Sequence, residues 1–204
     1  CTTIRKDVIP FDGVKSFAVE DETTNLISNP QFLNGMTSYS RYNWGGGGYI
    51  EVVDGIAHMH NESGTRELAL TQPLTLDSTK LYTFSAKVRS ANQRNIDVNV
   101  YLGRMPYRLV GRAPASGEWV TLSRTYSPDE ITSSPTMHLK IPSGAYLQVD
   151  WLQLEQKPFA TSFVDGSRPK GRLVIPVEDL KFDIANDDWV ISYWKYPVAT
   201  HNDA

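Results

Sequence analysis

The chain has 204 residues, 40% of them hydrophobic and 21% charged, a composition ordinary for a globular protein and long enough for one sizeable β-sandwich with additional pieces. Its 20 basic and 23 acidic side chains give a net charge of −3, which excludes the basic footprint of a nucleic-acid binder. No apolar run is long enough to span a membrane and no secretory leader is recognisable. The single cysteine, Cys1, excludes an internal disulfide and a cysteine-pair metal site. Because the chain opens on Cys1 rather than Met, it reads as processed or as a segment of a longer polypeptide.

Residues 1–24 lack a sustained period and read as an N-terminal arm. Asn25 to Phe32 looks like the opening of the main domain, with Leu26 and Phe32 as core residues. Asn29-Pro30 and Asn34-Gly35 are turn signals. Tyr39, Tyr42 and Trp44 then cluster ahead of the glycine run 45–48. From Tyr49 the signals are those of strands. Tyr49–Val53 and Ile56–His60 flank Asp54-Gly55, a strong hairpin turn. Strands follow over Leu68–Leu74, Leu81–Arg89, Ile96–Leu102, Trp119–Tyr126 and Met137–Ile141. Their inward faces are legible: Tyr82, Phe84, Ala86 and Val88; Val98, Val100 and Leu102; Met137, Leu139 and Ile141. Pro128–Ile131 is at most one helical turn. In Tyr146–Glu155, Leu147 and Val149 alternate with polar residues, and Leu152 and Leu154 resume one residue out of phase. That slip predicts a β-bulge centred on Asp150-Trp151. Many short alternating strands separated by Gly, Pro, Asn and Asp predict an all-β, antiparallel sandwich. After Pro169, Gly171–Pro176 and Trp189–Trp194 read as strands, too few for a core of their own.

Several of these phrases resemble the carbohydrate-binding-module jelly rolls that accompany xylanases and cellulases. Those open with Asn-Leu-hydrophobic-x-Asn-x-x-Phe, here Asn25, Leu26, Ile27, Asn29 and Phe32. They close with hydrophobic-Asp-x-hydrophobic-x-Leu, here Val149, Asp150, Leu152 and Leu154; Gly117-Glu118-Trp119 matches a Gly-x-Trp lead into a later strand. The segment 159–173 resembles a junction of bacteriophage structural proteins, where such a jelly roll precedes a laminin-G or concanavalin-like sandwich. The chain then divides into an N-terminal arm (1–24), a jelly roll (25–163), and a C-terminal extension made of a linker and the first strands of a second sandwich (164–204). The resemblance implies a virion component (tail, fibre, baseplate or capsid decoration) exposed on the particle surface. Other virion proteins, further copies of the chain and a cell-surface glycan are its implied partners, without nucleic acid or membrane. The alternatives are an accessory module of a secreted polysaccharide-degrading enzyme and a spacer with no ligand.

Sugar recognition needs aromatic planes flanked by hydrogen-bonding groups. The candidate sets are Tyr39, Tyr42 and Trp44, and Tyr101, Arg104 and Tyr107 with Lys87 and Asn99. Trp119 and Trp151 are expected in the core. The jelly-roll resemblance further implies a structural calcium, with Asp150 as the closing ligand and Asn29 and Asn34 standing in where Leu33 replaces the usual acidic residue; otherwise Asp150 hydrogen-bonds loop amides. No other cofactor is expected. Catalysis has no motif to carry it: Asp129-Glu130 and Asp187-Asp188 are sequence neighbours, whose side chains diverge on a strand. His58 and His60 share a strand face without a third zinc ligand.

Overall fold

The structure, a computed structural model, describes residues 20–44, 47–62, 64 and 67–170. Thr23–Arg168 forms a compact unit of its own. The N-terminal arm, Gly45 and Gly46, and the strands expected over Gly171–Pro176 and Trp189–Trp194 lie outside the described residues, Glu20 to Thr24 of the arm excepted.

The unit is a sandwich of two antiparallel sheets. The strands are β1 (Thr23–Thr24), β2 (Ser40–Trp44), β3 (Gly48–Val53), β4 (Ile56–Asn61), β5 (Glu67–Pro73) and β6 (Tyr82–Ser90). They continue with β7 (Ile96–Leu102), β8 (Arg108–Ala113), β9 (Val120–Tyr126), β10 (Thr136–Ile141), β11 (Tyr146–Glu155) and β12 (Ser167–Arg168). The first sheet has the order β2-β5-β10-β7-β8 and the second β3-β4-β11-β6-β9; β1 and β12 pair as a separate ribbon. Pro128–Glu130 is a single 3₁₀ turn. Sequence neighbours are therefore seldom sheet neighbours, and the sandwich is held by pairings distant along the chain.

Alternation builds the core as the sequence indicates. Leu68 and Leu70, Val98 and Val100, and Met137 and Leu139 of the first sheet face Ala57 and Met59, Phe84 and Ala86, and Leu147 and Val149 of the second, all fully buried. Asp54 and Gly55 adopt left-handed backbone (φ 51° and 74°), the conformation of a two-residue type I′ hairpin, and β3 pairs directly with β4. Phe32 is buried; Leu26 packs against the core while Ile27 enters it.

The bulge expected in β11 is present. Val149 pairs with Val88 and Trp151 with Lys87, leaving Asp150 as the extra residue. Leu147 and Val149 stay inward before it, and Leu152 and Leu154 after it. The expectation that Trp119 and Trp151 are core residues is corrected. Past the bulge, Trp151 shares the outer face with Lys87 and stacks on Phe163, ring centroids 4.8 Å apart. Trp119 precedes the inward Val120 and lies against Lys87 and Arg89 on the same outer face. Large aromatics here cover the sheet rather than fill the space between sheets.

Opening phrase and closing strand are joined by two buried side chains. The Asn25 amide donates to the carbonyls of Leu152 (3.0 Å) and Val164 (3.1 Å), and its oxygen accepts from the amides of Ile27 and Leu154. Glu155, fully buried, accepts from the hydroxyls of Thr23 (2.7 Å) and Thr161 (2.9 Å), the Thr161 amide (2.8 Å) and the Gln153 side chain (2.9 Å). The Glu155 carboxyl group is tolerable in the interior because its oxygens are saturated by donors. Replacing Asn25 by Ala or Glu155 by Gln strands several of these groups. Each is expected to lower unfolding stability by about 2–3 kcal/mol, seen in urea denaturation as a lower midpoint with an unchanged slope.

Candidate functional site

The outer face of the first sheet brings aromatic side chains together from four separate segments. Alternation dictates which residues reach it: those interleaved with the buried Leu68, Leu70, Met137, Leu139, Val98 and Val100. Register then sets their neighbours. Ser40 pairs with Thr71, Thr71 with His138, and His138 with Tyr101. One step along, Tyr42 pairs with Ala69, Ala69 with Lys140, and Lys140 with Asn99.

His138 is the hub. Its ring lies 5.4 Å from Tyr42 and 5.5 Å from Tyr101, both edge-on. Tyr107, in the loop between β7 and β8, lies 5.5 Å from Tyr101 and 6.4 Å from His138. Ala69, between Tyr42 and Lys140 in the register, is fully buried beneath its larger neighbours. Lys140 Nζ sits 4.2 Å from the centre of the Tyr107 ring and 2.7 Å from Glu67 Oε1. The result is a set of ring surfaces edged by a carboxylate, an ammonium, the Asn99 amide and a histidine.

Electrostatics keep these groups in definite states. Burial, reinforced by the nearby Glu67 carboxylate, pushes the Tyr107 hydroxyl up to about 12. It therefore stays protonated and remains a donor throughout the neutral range. Burial pulls His138 below the usual histidine value, partly opposed by Glu67, so the ring is neutral at pH 7. Asp97 and Arg112 form a bidentate pair on the same face at 2.6 and 3.3 Å.

The sequence candidates fall into three groups. Tyr42, Asn99, Tyr101 and Tyr107 meet on this face, merging two clusters far apart in sequence. Trp44 ends β2 opposite Glu67 in the backbone ladder. Arg104 is exposed beyond the end of β7, its Nε donating to the Ile131 carbonyl at 2.9 Å. Tyr39 and Lys87 stand elsewhere. Tyr39 is buried, its ring 5.1 Å from Phe32 and its hydroxyl donating to the Asn29 carbonyl, and burial pushes its pKa up. Lys87 belongs to the second sheet, paired with Asp150 at 2.7 Å. His138, Lys140 and Glu67 escaped the sequence reading; the signal was the polar half of the Met137–Ile141 alternation, whose apolar half marked the core.

Around the expected calcium ligands the structure shows other partners. The Asn29 amide donates to the carbonyls of Gly35 and Thr37 and its oxygen accepts from the Asn34 amide, which closes the loop 29–37. Asp150 carries its ion pair to Lys87. Among the described residues no three His, Cys, Asp or Glu side chains converge. A hard cation takes about six to eight oxygens, whereas the side chains of Asn29 and Asp150 are engaged with these protein partners.

No protein-family model matches the chain and no curated protein matches it significantly. Solved structures do. A CBM4 structure superposes with a TM-score of 0.50 at 17% identity, covering 64% of this chain and 99% of that one. The CBM22-1-GH10 modules of the Clostridium thermocellum endo-1,4-beta-D-xylanase 10B, complexed with xylohexaose, superpose at 0.50 with 14% identity over 72% of this chain and 30% of that one. The fold is a carbohydrate-binding-module-like jelly roll. Tailspike protein 4 of bacteriophage CBA120 also matches, at a TM-score of 0.46 and 10% identity over 64% of this chain and 21% of that one. A likeness of that size carries nothing about a virion role.

Protonating His138 inside the jelly roll costs more than in the unfolded chain, since its native pKa is depressed. Stability is therefore complete above the unfolded value of about 6.5 and declines as pH falls from there toward the native value. His138→Gln is expected to flatten the slope of melting temperature against pH below about 6.5, and an unchanged slope would remove His138 as its source.

Proposed function

We propose that this jelly roll is a non-catalytic glycan-binding module whose ligand lies on the outer face of the first sheet. The observation that carries the reading is the convergence of Tyr42, Tyr101 and Tyr107 around His138, with hydrogen-bonding groups between the rings. Pyranose rings have apolar faces and polar rims. A tyrosine surface desolvates the former, while Asn99, Glu67 and Lys140 are placed to bond the latter. The rings are held by one another and by Lys140, so little rotamer freedom is lost on binding. On this face Glu67 is held in an ion pair by Lys140 and Asp97 by Arg112.

The finer setting, a bacteriophage particle in which the module serves assembly and host-surface attachment, is supported by sequence phrases only: the junction 159–173, the lead-in Phe17 to Leu26 and the stretch Trp189 to Trp194. An accessory module of a secreted polysaccharide-degrading enzyme is the rival setting, supported by the fold shared with the xylanase module. Light scattering on concentrated protein separates them: the particle setting is expected to show a defined oligomer, and a strict monomer would contradict it.

Screening the chain on a glycan array is expected to give binding to at least one saccharide class. Tyr101→Ala and Tyr107→Ala, with folding checked by circular dichroism, are expected to weaken that binding roughly tenfold or more. Clean absence of binding across the array would overturn the reading.

A further inference from the structure

The opposite sheet carries a second group of side chains that neither the core nor the tyrosine platform uses. The alternation that buries Ala57, Met59, Leu147, Val149 and Val88 sends the residues between them to its outer face. Two rows run across the strands. In the first, Tyr49 pairs with His60 and His60 with Tyr146, with ring centroids 4.9 and 5.2 Å apart. In the second, Glu51 pairs with His58, His58 with Gln148 and Gln148 with Arg89. This row ends on Trp119, just ahead of β9. Four inter-strand steps of about 4.8 Å make it roughly 19 Å long, room for an oligosaccharide lying across the strands.

Arg89 distinguishes this face from the first. Its Nε donates to Gln148 Oε1 at 2.5 Å, and its guanidinium carbon lies 4.7 Å from the centre of the Trp119 ring. Gln148 is itself braced by His58, whose Nδ1 is 2.7 Å from the Tyr146 hydroxyl. The guanidinium is thus fixed at one edge and on one face. Its two terminal nitrogens have no hydrogen-bond or ion-pair partner among the described residues, and Asp150 on the same face is paired with Lys87. An oriented guanidinium with both terminal nitrogens free presents the fork that a carboxylate engages bidentately. On the first face, by contrast, Lys140 and Arg112 are each already paired with an acid.

We propose that the outer face of the second sheet is a separate site for a carboxylate-bearing saccharide. Arg89 anchors the acid group, Trp119 and Gln148 hold Arg89 in position, and the rings of Tyr49 and Tyr146 pack against the sugar. Tyr49 is 40% exposed and available for that contact. The two faces point away from each other, so one module can hold two glycans of different charge at once.

The test titrates the full chain calorimetrically with oligogalacturonate and with a sialylated oligosaccharide, and repeats each with the carboxyl-reduced saccharide. Binding to at least one acidic saccharide is expected, weakened by salt and absent for its reduced form. Arg89→Gln should lose roughly tenfold or more in affinity, the size of a charge-assisted contact, while Tyr101→Ala on the other face leaves it unchanged. Arg89→Lys keeps the charge and the stem but not the fork; it should also lose most of the affinity, and it keeps the test alive if the Gln variant folds poorly. Failure to bind any acidic saccharide, equal binding of the reduced forms, or a loss in Tyr101→Ala instead of Arg89→Gln would each overturn the proposal. Equal competition by poly-glutamate would overturn it in favour of an acidic protein partner. Because the two variants lie on opposite sheets, failure here is distinguishable from failure of the first-face reading.

Discussion

The sandwich depends on how its opening residues are fastened to its closing strand. Among the described residues β11 is the last long strand in sequence, and it is the central strand of the second sheet in space. Asn25 bonds β11 on both sides of its own side chain, taking the Leu154 amide and giving to the Leu152 carbonyl. The Leu26 amide adds a bond to the Leu154 carbonyl at 2.8 Å. Glu155 then fastens Thr23 and Thr161 at the point where the chain enters and leaves the unit. None of these groups can be left unpaired in the interior without a cost comparable to a sizeable share of domain stability. The chain ends of the unit are thereby held together, and the long-range strand order becomes a closed arrangement.

From that closure both outer faces follow. Period-2 alternation gives each strand one apolar and one polar side, and the antiparallel register decides which polar residues become neighbours. His138 has no reason in sequence to meet Tyr42 or Tyr107. It meets them because β10 lies between β5 and β7. The bulge at Asp150 has the complementary effect on the second sheet. It changes the phase of β11 midway, so that Trp151 stays on the outside while Leu152 returns to the core.

The fold was legible because local chemistry and global arrangement agree. Asp54-Gly55 can hardly be anything but a hairpin turn, and the Leu147–Leu154 phase slip can only be a bulge if both halves are buried. Besides the two-residue β1 and β12, two longer strands were not legible. In β2 the residues Ser40 to Trp44 have no apolar alternation, because this edge strand contributes backbone pairing to β5 rather than core side chains. In β8 the period is broken by a second bulge, where Val98 pairs with Gly111 and Asn99 with Leu109, so that Val110 is the extra residue. The candidate site was half legible. Aromatic clusters announce themselves, but Tyr39 and Tyr42 have opposite fates that depend on the turn before β2, and Lys87 is separated from Asn99 by the full thickness of the sandwich. Sheet order, which sequence alone does not give, makes those assignments.

The reading proposed for the first sheet is that its tyrosines, and not those of the second sheet, receive an uncharged glycan. Tyrosine-ring carbon NMR reads it directly, since the buried Tyr82 and Tyr126 serve as internal controls. On titration with a saccharide retained in a glycan screen and lacking a carboxylate, the ring signals of Tyr42, Tyr101 and Tyr107 should move together while those of Tyr82, Tyr126, Tyr49 and Tyr146 stay still. Movement confined to Tyr49 and Tyr146, or no movement at all while the saccharide binds, would contradict it.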